Sequence, residues 1–336
     1  MPILRILHLS DLHLAGNRAF YERVATFTSL LSVYKPDALE AITEIIYAWR
    51  NELHAIIISG DIAITGTEKD LKHAMELFKT SANPHPTGHW ETPWLNYDGE
   101  PTFQIFNKPI IIVPGNHDRY DNRLALPGEL FYRYFESYWT AGTGGIQLTL
   151  LPNSEDPVLA IICSDFTLDS ILHATQPMGH FGQGKVYDDR LKELVRLTET
   201  VAFSYPSCAV VWMIHFAPKF RDSQKFQEHL GNLKGLAKLK VRLMEGLTKL
   251  IDDGKLAEEA GKLGIRYIFC GHTHVYDNYY VDASNKVCIL CSGSATCVSP
   301  NCDTTIHLRD IVIENAQVKE IRSQALIWDA DNQTFL

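Results

Sequence analysis

No apolar run in this chain reaches the about 18 residues that a membrane-spanning helix requires, so a membrane protein is not expected. The opening stretch, Met1 to Leu14, is not a secretory leader. Its apolar part is short, is interrupted by Arg5 and His8, and lacks a small-residue cleavage site. Excess positive charge is missing as well: 31 Lys and Arg against 40 Asp and Glu leave a formal net charge of -9. An acidic chain is a poor non-specific binder of nucleic acid or of an anionic membrane. Bound divalent cations would offset part of that charge locally, so an anionic substrate stays open. Repeats, low-complexity tracts and an obvious interdomain linker are lacking too, and residues 1–336 are expected to form one domain. Seven cysteines are an odd number for a chain of 336 residues. Cys163, Cys208 and Cys270 lie inside apolar runs, so buried free thiols in a reducing, cytoplasmic setting are the expectation. Cys288, Cys291, Cys297 and Cys302 suggest a zinc knuckle at first sight. If Lys286 to Cys291 is a strand, however, Cys288 and Cys291 point to opposite faces.

What is present is a large apolar fraction, 46%, arranged in a recurring pattern. Short β-branched runs are each followed by Gly, Asp, Asn or His and then by a more helical stretch. The runs are Ile3 to Leu9, Ala55 to Ser59, Pro109 to Val113, Val158 to Ser164, Cys208 to Ile214 and Arg266 to Cys270, and they read as buried strands. Apolar spacings of three and four mark helices at Pro36 to Trp49 and Lys69 to Phe78. Asp188 to Glu199 and a long charged stretch from Phe226 to Leu263, the latter broken by Gly231, Gly235, Gly246 and Gly254, also read as helical. Toward the C-terminus, Asn278 to Asp282, Lys286 to Cys291, Thr305 to Ile313 and Val318 to Ala325 alternate like antiparallel strands. The fold class is therefore α/β or α+β. Residues 81–107 read as an inserted loop and 217–247 as a basic helical insertion.

The chemistry-bearing residues fall in five short segments: Asp11-Leu-His13, Gly60-Asp61, Gly115-Asn116-His117-Asp118, His215, and Gly271-His272-Thr-His274. Each directly follows a strand candidate. Strand ends on one edge of a sheet with parallel strands converge, and ligands gather there. Asp and His together supply oxygen and nitrogen donors that suit Mn, Fe or Zn better than an all-oxygen calcium site. In an extended backbone, the alternate positions Asp11 and His13 share a side, as do His272 and His274. Asp61 follows a glycine that permits close backbone approach, which makes it the candidate to bridge two ions.

The ordered set D-x-H, G-D, G-N-H-D, H and G-H-x-H resembles the calcineurin-like metallophosphoesterase superfamily, over residues 11 to 274. That resemblance implies a four-layer α/β/β/α sandwich with two divalent cations at one edge. It implies Asp11, His13, Asp61 and His274 on one ion and Asp61, Asn116, His215 and His272 on the other. His117 would contact the phosphate and protonate the leaving oxygen, with Asp118 hydrogen-bonded to it and fixing its tautomer. Asn116 and His215 would also face the substrate. The implied reaction is hydrolysis of a phosphate ester by a bridging hydroxide attacking phosphorus in line, with no covalent phosphoenzyme. Size and the G-N-H-D motif most resemble bacterial cyclic-nucleotide phosphodiesterases, so a small nucleotide-like substrate is expected.

Simpler readings compete at several positions. Asp11, Asp61 or Asp118 alone could cap a helix, and a lone His215 could be a packed core histidine. His8, inside a strand, reads as structural. His85 and His89 belong to the irregular loop, and His173 and His180 to a loop after a strand. Asn17 and Arg18 could reach a phosphate or simply form a turn. A DNA nuclease of the same superfamily would need the basic residues Lys219, Arg221, Lys225, Lys234, Lys238, Lys240 and Arg242 as its groove. A non-catalytic interaction scaffold would not need the complete ligand set.

Overall fold

The computed structural model describes residues 1–17, 34–78, 102–103, 106–119, 128–152, 154–168, 182–232, 234–235, 238, 249–281, 286–297 and 303–336. His85, His89, His173, His180, Arg18, Cys302 and nearly all of the 81–107 loop lie outside the described residues. So does much of the 217–247 segment.

Each β-branched run pairs into a sheet because its side chains can be buried on both faces. In the first sheet, the parallel strands β1 (Ile3–Leu9), β2 (Ala55–Ile58) and β3 (Ile110–Ile112) lie side by side. Beyond β1 the sheet continues antiparallel through β12 (Thr305–Glu314), β13 (Gln317–Asp329) and β14 (Thr334–Phe335). The second sheet carries the parallel strands β5 (Leu159–Ser164), β7 (Ala209–Met213), β9 (Tyr267–Cys270) and β11 (Cys288–Cys291). Antiparallel β4 (Ile146–Leu151) and β10 (Asp277–Tyr280) flank them.

Alternation along the strands separates two cores. On β5, Leu159, Ile161 and Cys163 join the core shared with the first sheet, among Ile6, Ile306 and Leu308. Ala160 and Ile162 instead join Leu191, Leu194, Leu256 and Ala260 of helices Asp188–Ser204 and Asp253–Lys262. Helix Pro36–Trp49 covers the first sheet, burying Ala38, Ile42 and Ile46. It begins with proline, whose missing N–H costs nothing in a first turn. The order is thus helix, sheet, sheet, helix, and each fully buried Leu or Ile adds roughly 1.5–3 kcal/mol to its cohesion. Cys288 faces the first core and Cys291 the second, the opposite orientation that speaks against a zinc knuckle.

Register places the functional edge. Leu9 is level with Ile58, and Ile58 with Ile112. In the other sheet Cys163 is level with Met213, and Met213 with Phe269. The segments that follow these six residues therefore leave the sandwich together, carrying the motifs.

One expectation is corrected. Within the stretch Phe226 to Leu263, read as helix broken by glycines, the strand β8 (Leu250–Ile251), parallel to β6 (Gly184–Lys185), stands between helices Gln224–Asn232 and Asp253–Lys262. The physical cause is local. Asp252 adopts a left-handed φ of 61°, which ends the strand and opens the next helix.

Candidate metal centre

The backbone is turned sharply at the motif residues. Asp11, His13, Asp61, His272 and His274 all have positive φ, between 47° and 71°. A non-glycine residue in that region costs about 1–2 kcal/mol. Five in one place are tolerated only because surrounding structure holds them, a pattern concentrated at functional sites. Asp11 N–H donates to the Gly60 carbonyl and His13 N–H to the Asp61 carbonyl, each at 3.0 Å, so the first two motif loops zip together. Ser294 Oγ and Thr296 Oγ1 support the D-x-H loop from beneath, donating to the carbonyls of Asp11 and Leu12. The expectation that Asp11 and His13, or His272 and His274, share a side through extended backbone is therefore corrected. They converge because each is a left-handed corner.

Glycine at two positions allows the close approach. A Cβ on Gly115 would collide with the Asp61 carboxylate, and one on Gly60 (φ 98°) with the His215 imidazole.

Two side-chain clusters result. In the first, the Nε2 atoms of His13 and His274 are 3.0 Å apart. His274 Nε2 lies 3.3 Å and His13 Nε2 3.9 Å from Asp11 Oδ1. In the second, His215 Nε2 is 3.3 Å from Asp61 Oδ2, 3.1 Å from Asn116 Oδ1 and 3.1 Å from His272 Nδ1. Asp61 also lies within ligand-sharing reach of His13 and His117, so it stands between the clusters. The Asp61 Oδ1 atom accepts the His117 N–H at 2.9 Å.

Electrostatics sharpen the picture. Burial would raise the Asp11 carboxyl, but the imidazoles of His274 and His215 outweigh it and hold the group at about 2. Asp61 is likewise held well below the ordinary carboxylate range, by His215 and His117 against burial. Burial alone would lower His215, yet the Asp61 carboxylate raises it to about 9. His13 is pushed down to about 3, by burial first and then by His117 and His274. The site is thus a buried pair of carboxylates demanding positive charge.

The donor set fits divalent cations. Ligand atoms about 2.1 Å from an ion stand about 3.0 Å apart at right angles and about 3.4 Å apart at the tetrahedral angle. Most spacings above fall in that range. Among the described residues Asp11 Oδ1 is buried and accepts no hydrogen bond, a costly arrangement for a charged oxygen unless a cation satisfies it. His215 Nδ1 lies 2.7 Å from the Ser59 carbonyl, which can only accept. Its proton is therefore on Nδ1, and Nε2 is the atom that faces Asp61 and Asn116.

All nine expected site residues are brought to this edge, but one relation among them differs from expectation. His117 Nδ1 is 2.8 Å from the Ile64 carbonyl and is not held by Asp118. Asp118 accepts instead from Ala63 N–H and Gly115 N–H, at 2.8 and 2.9 Å. The corrected reading is that Ile64 fixes the His117 tautomer while Asp118 ties the G-N-H-D turn to the G-D loop. Burial, and then the Asp61 charge, raise Asp118 to about 7 against those backbone donors. Sequence reasoning also missed Ser59 and Ile64, whose main-chain carbonyls orient the two histidines and leave no mark in side-chain identity. His8, expected to be structural, is fully buried and bonded to Ser59 Oγ at 2.9 Å. Of the basic residues a nuclease groove would need, Lys219 donates to the Val281 carbonyl and Lys225 pairs with Asp303.

The helix–sheet–sheet–helix sandwich gathers candidate metal ligands at one strand edge, and the family that the sequence matches makes the chain a phosphoric ester hydrolase. The family model for calcineurin-like phosphoesterase matches residues 4–276, and the chain belongs to that family, whose members act through two metal ions. Among solved structures, a dimetal phosphatase from Danio rerio superposes with a TM-score of 0.52 at 9% identity, covering 98% of this chain and 100% of that one. The likeness supports the shared fold. A 5'-nucleotidase from Candida albicans gives 0.42 at 11% identity, covering 98% of this chain and 52% of the other. An archaeal phosphodiesterase gives 0.34 at 11%, covering 96% and 100%. No curated protein matches the sequence. No helix among the described residues is long and apolar enough to cross a membrane.

Proposed function

We propose that the chain hydrolyses a phosphate ester of a small, nucleotide-like molecule. Asp11, His13, Asp61 and His274 surround one divalent cation, and Asp61, Asn116, His215 and His272 the other. The observation that carries this reading is the placement of Asp61 between two sets of convergent donors, beside the Asp11 oxygen on which His13 and His274 converge. When bound, such a pair of cations neutralises charge on the phosphate oxygens and acidifies water. The protein supplies the rest. His117 holds its Nδ1–H against the Ile64 carbonyl and presents Nε2, which in the imidazolium form hands its proton to the departing oxygen and leaves the ring neutral. Its half-buried ring packs edge-on against His13, 4.9 Å between centroids, so it stands beside the first cluster. Asn116, its amide oxygen 3.1 Å from His215 Nε2, faces the substrate together with His215. Residues 1–336 act as one catalytic unit, with 81–107 and 217–247 as insertions. Cys163, Cys208, Cys270, Cys288 and Cys291 are buried free thiols, which suits a reducing, cytoplasmic setting.

The test is hydrolysis of bis-p-nitrophenyl phosphate, p-nitrophenyl phosphate and cyclic AMP by chelator-stripped protein reloaded separately with Mn, Fe or Zn. Activity restored by metal supports the reading, and faster turnover of the diesters than of the monoester assigns a phosphodiesterase. No metal-dependent release from any of the three overturns it.

A further inference from the structure

We infer that Arg119 and Asp165 are positioning residues, forming a buried tie that fixes the catalytic turn of the first sheet against the end of β5 in the second. The inference rests on the function proposed above. Arg119 is the residue after Asn116-His117-Asp118, on the same single helical turn, Asn116–Arg119. Asp165 directly follows β5 at the edge where the other motifs leave the sandwich. Both are fully buried.

Their contacts are specific. Arg119 Nη1 lies 3.1 Å from Asp165 Oδ2 and 3.3 Å from Oδ1, and donates to the Thr167 carbonyl at 3.1 Å. Asp165 also accepts from Tyr132 Oη at 2.9 Å, Gly144 N–H at 3.1 Å and Thr167 N–H at 2.9 Å. Arg190 Nη1 donates to the Asp165 carbonyl at 3.0 Å, holding the same corner from helix Asp188–Ser204. The carboxylate is thus fully satisfied, and Arg119 keeps it below the usual carboxylate range despite burial.

The consequence is geometric. The G-N-H-D-R turn has anchors on two sides. Asp118 binds backbone N–H groups of the first sheet's loops, and Arg119 reaches across to the second sheet. Asn116 and His117 directly precede these anchors on the same helical turn. They must meet His215 from the second sheet and Asp61 from the first. A planar guanidinium whose Nη1 meets both Asp165 oxygens and the Thr167 carbonyl fixes such a distance better than a flexible ammonium. Neither residue reaches the reacting atoms; their effect is on where Asn116 and His117 stand. A displacement of about 1 Å at that level costs on the order of 100-fold in rate.

The experiment uses the full chain loaded with manganese and bis-p-nitrophenyl phosphate as substrate. Arg119→Ala is expected to lower kcat about 100-fold, with KM and bound metal per chain little changed. Millimolar methylguanidine, which restores the guanidinium without the tether, is expected to recover part of kcat. Asp165→Asn should match that loss, and the double variant should be no slower than either single one, because all three break the same tie. Removing one partner of a buried pair can prevent folding. Tyr132→Phe, which deletes one bond to Asp165 and keeps both charges, then serves as the second probe, with a several-fold fall in kcat at constant KM. The inference is overturned if folded variants keep parental kcat, if kcat per bound metal is unchanged, or if the single losses multiply in the double variant. A parent protein without metal-dependent hydrolysis would instead fail the function itself, and that outcome is read before any variant is made.

Discussion

Among the described residues two histidine clusters lie in this sandwich, and one of them is suited to cations. At the strand edge, His13, His215, His272 and His274 surround Asp11 and Asp61. Deeper between the sheets, His8 and His307 surround Arg309, all three fully buried. Arg309 Nε donates to His8 Nδ1 at 3.2 Å, and His8 bonds Ser59, whose carbonyl in turn holds His215. The clusters are therefore adjacent, yet their charge states are opposed. Asp61 raises His215 to about 9. Burial, and then Arg309, hold His8 and His307 well below their ordinary value. Imidazole alone does not specify a metal site; the carboxylates beside it do.

The largest effect expected from that contrast is at Asp61. Asp61→Asn keeps the shape and removes the shared charge. Metal affinity should fall by more than the roughly 10–100-fold typical of losing a group behind a ligand. Hydrolysis should vanish at ordinary metal concentrations. Metal analysis with a titration of activity against manganese checks this, and unchanged affinity would dissolve the distinction between the clusters. Next in size is His117→Ala, at about 100- to 10,000-fold in kcat for a poor leaving group such as the alkoxide of cyclic AMP. The loss should be much smaller for p-nitrophenolate, which leaves without a proton. Equal losses on both substrates would remove the acid role from His117.

Stripping the metal should expose the charge contrast as a pH dependence. His215 has a folded pKa raised from 6.5 to about 9, burial opposing and Asp61 prevailing. Its stabilisation of the metal-free protein is complete below 6.5 and is lost as pH rises through about 9, a change on the order of 3 kcal/mol. Metal competes for the same nitrogen, so the loaded protein should show little of this slope. Thermal melting of stripped and loaded protein between pH 6 and 9.5 measures both curves. A stripped protein with a flat curve would contradict the charge assignment.

The difference between the clusters was partly legible in the sequence. Each metal-edge histidine follows a strand candidate and travels with Asp, Asn or Gly in a fixed order, whereas His8 sits inside a strand with apolar neighbours. The fold class followed from the same runs. What could not be read has physical reasons. The left-handed corners at Asp11, His13, Asp61, His272 and His274 are a minority conformation for any non-glycine residue, and although Asp and His enter it more often than most, nothing local marks which of them will. The partner of His117 is a main-chain carbonyl, and any residue at position 64 would offer one. Arg119 and Asp165 are 46 positions apart, and nothing local couples them. β6 and β8 are two residues each, too short for alternation to register.

The smallest effects belong to the deeper cluster, and they test whether it is structural. Among the described residues Arg309 has no carboxylate partner, and its Nη2 is buried without a hydrogen bond. Burial lowers it from 12.5 to about 10, so it stays charged at neutral pH. Keeping an unpaired cation there costs several kcal/mol, whereas its bonds to His8 and Ser323 return about 1 kcal/mol each or somewhat more. Arg309→Met should therefore leave the melting temperature unchanged or raise it. His8→Leu should lower stability by about 1–3 kcal/mol, because it strands the Arg309 Nε donor and Ser59 Oγ. Both variants should keep two metals per chain and the parental kcat. If Arg309→Met instead lost bound metal while staying folded, the chain of contacts through His8 and Ser59 to His215 would join the clusters into one functional unit.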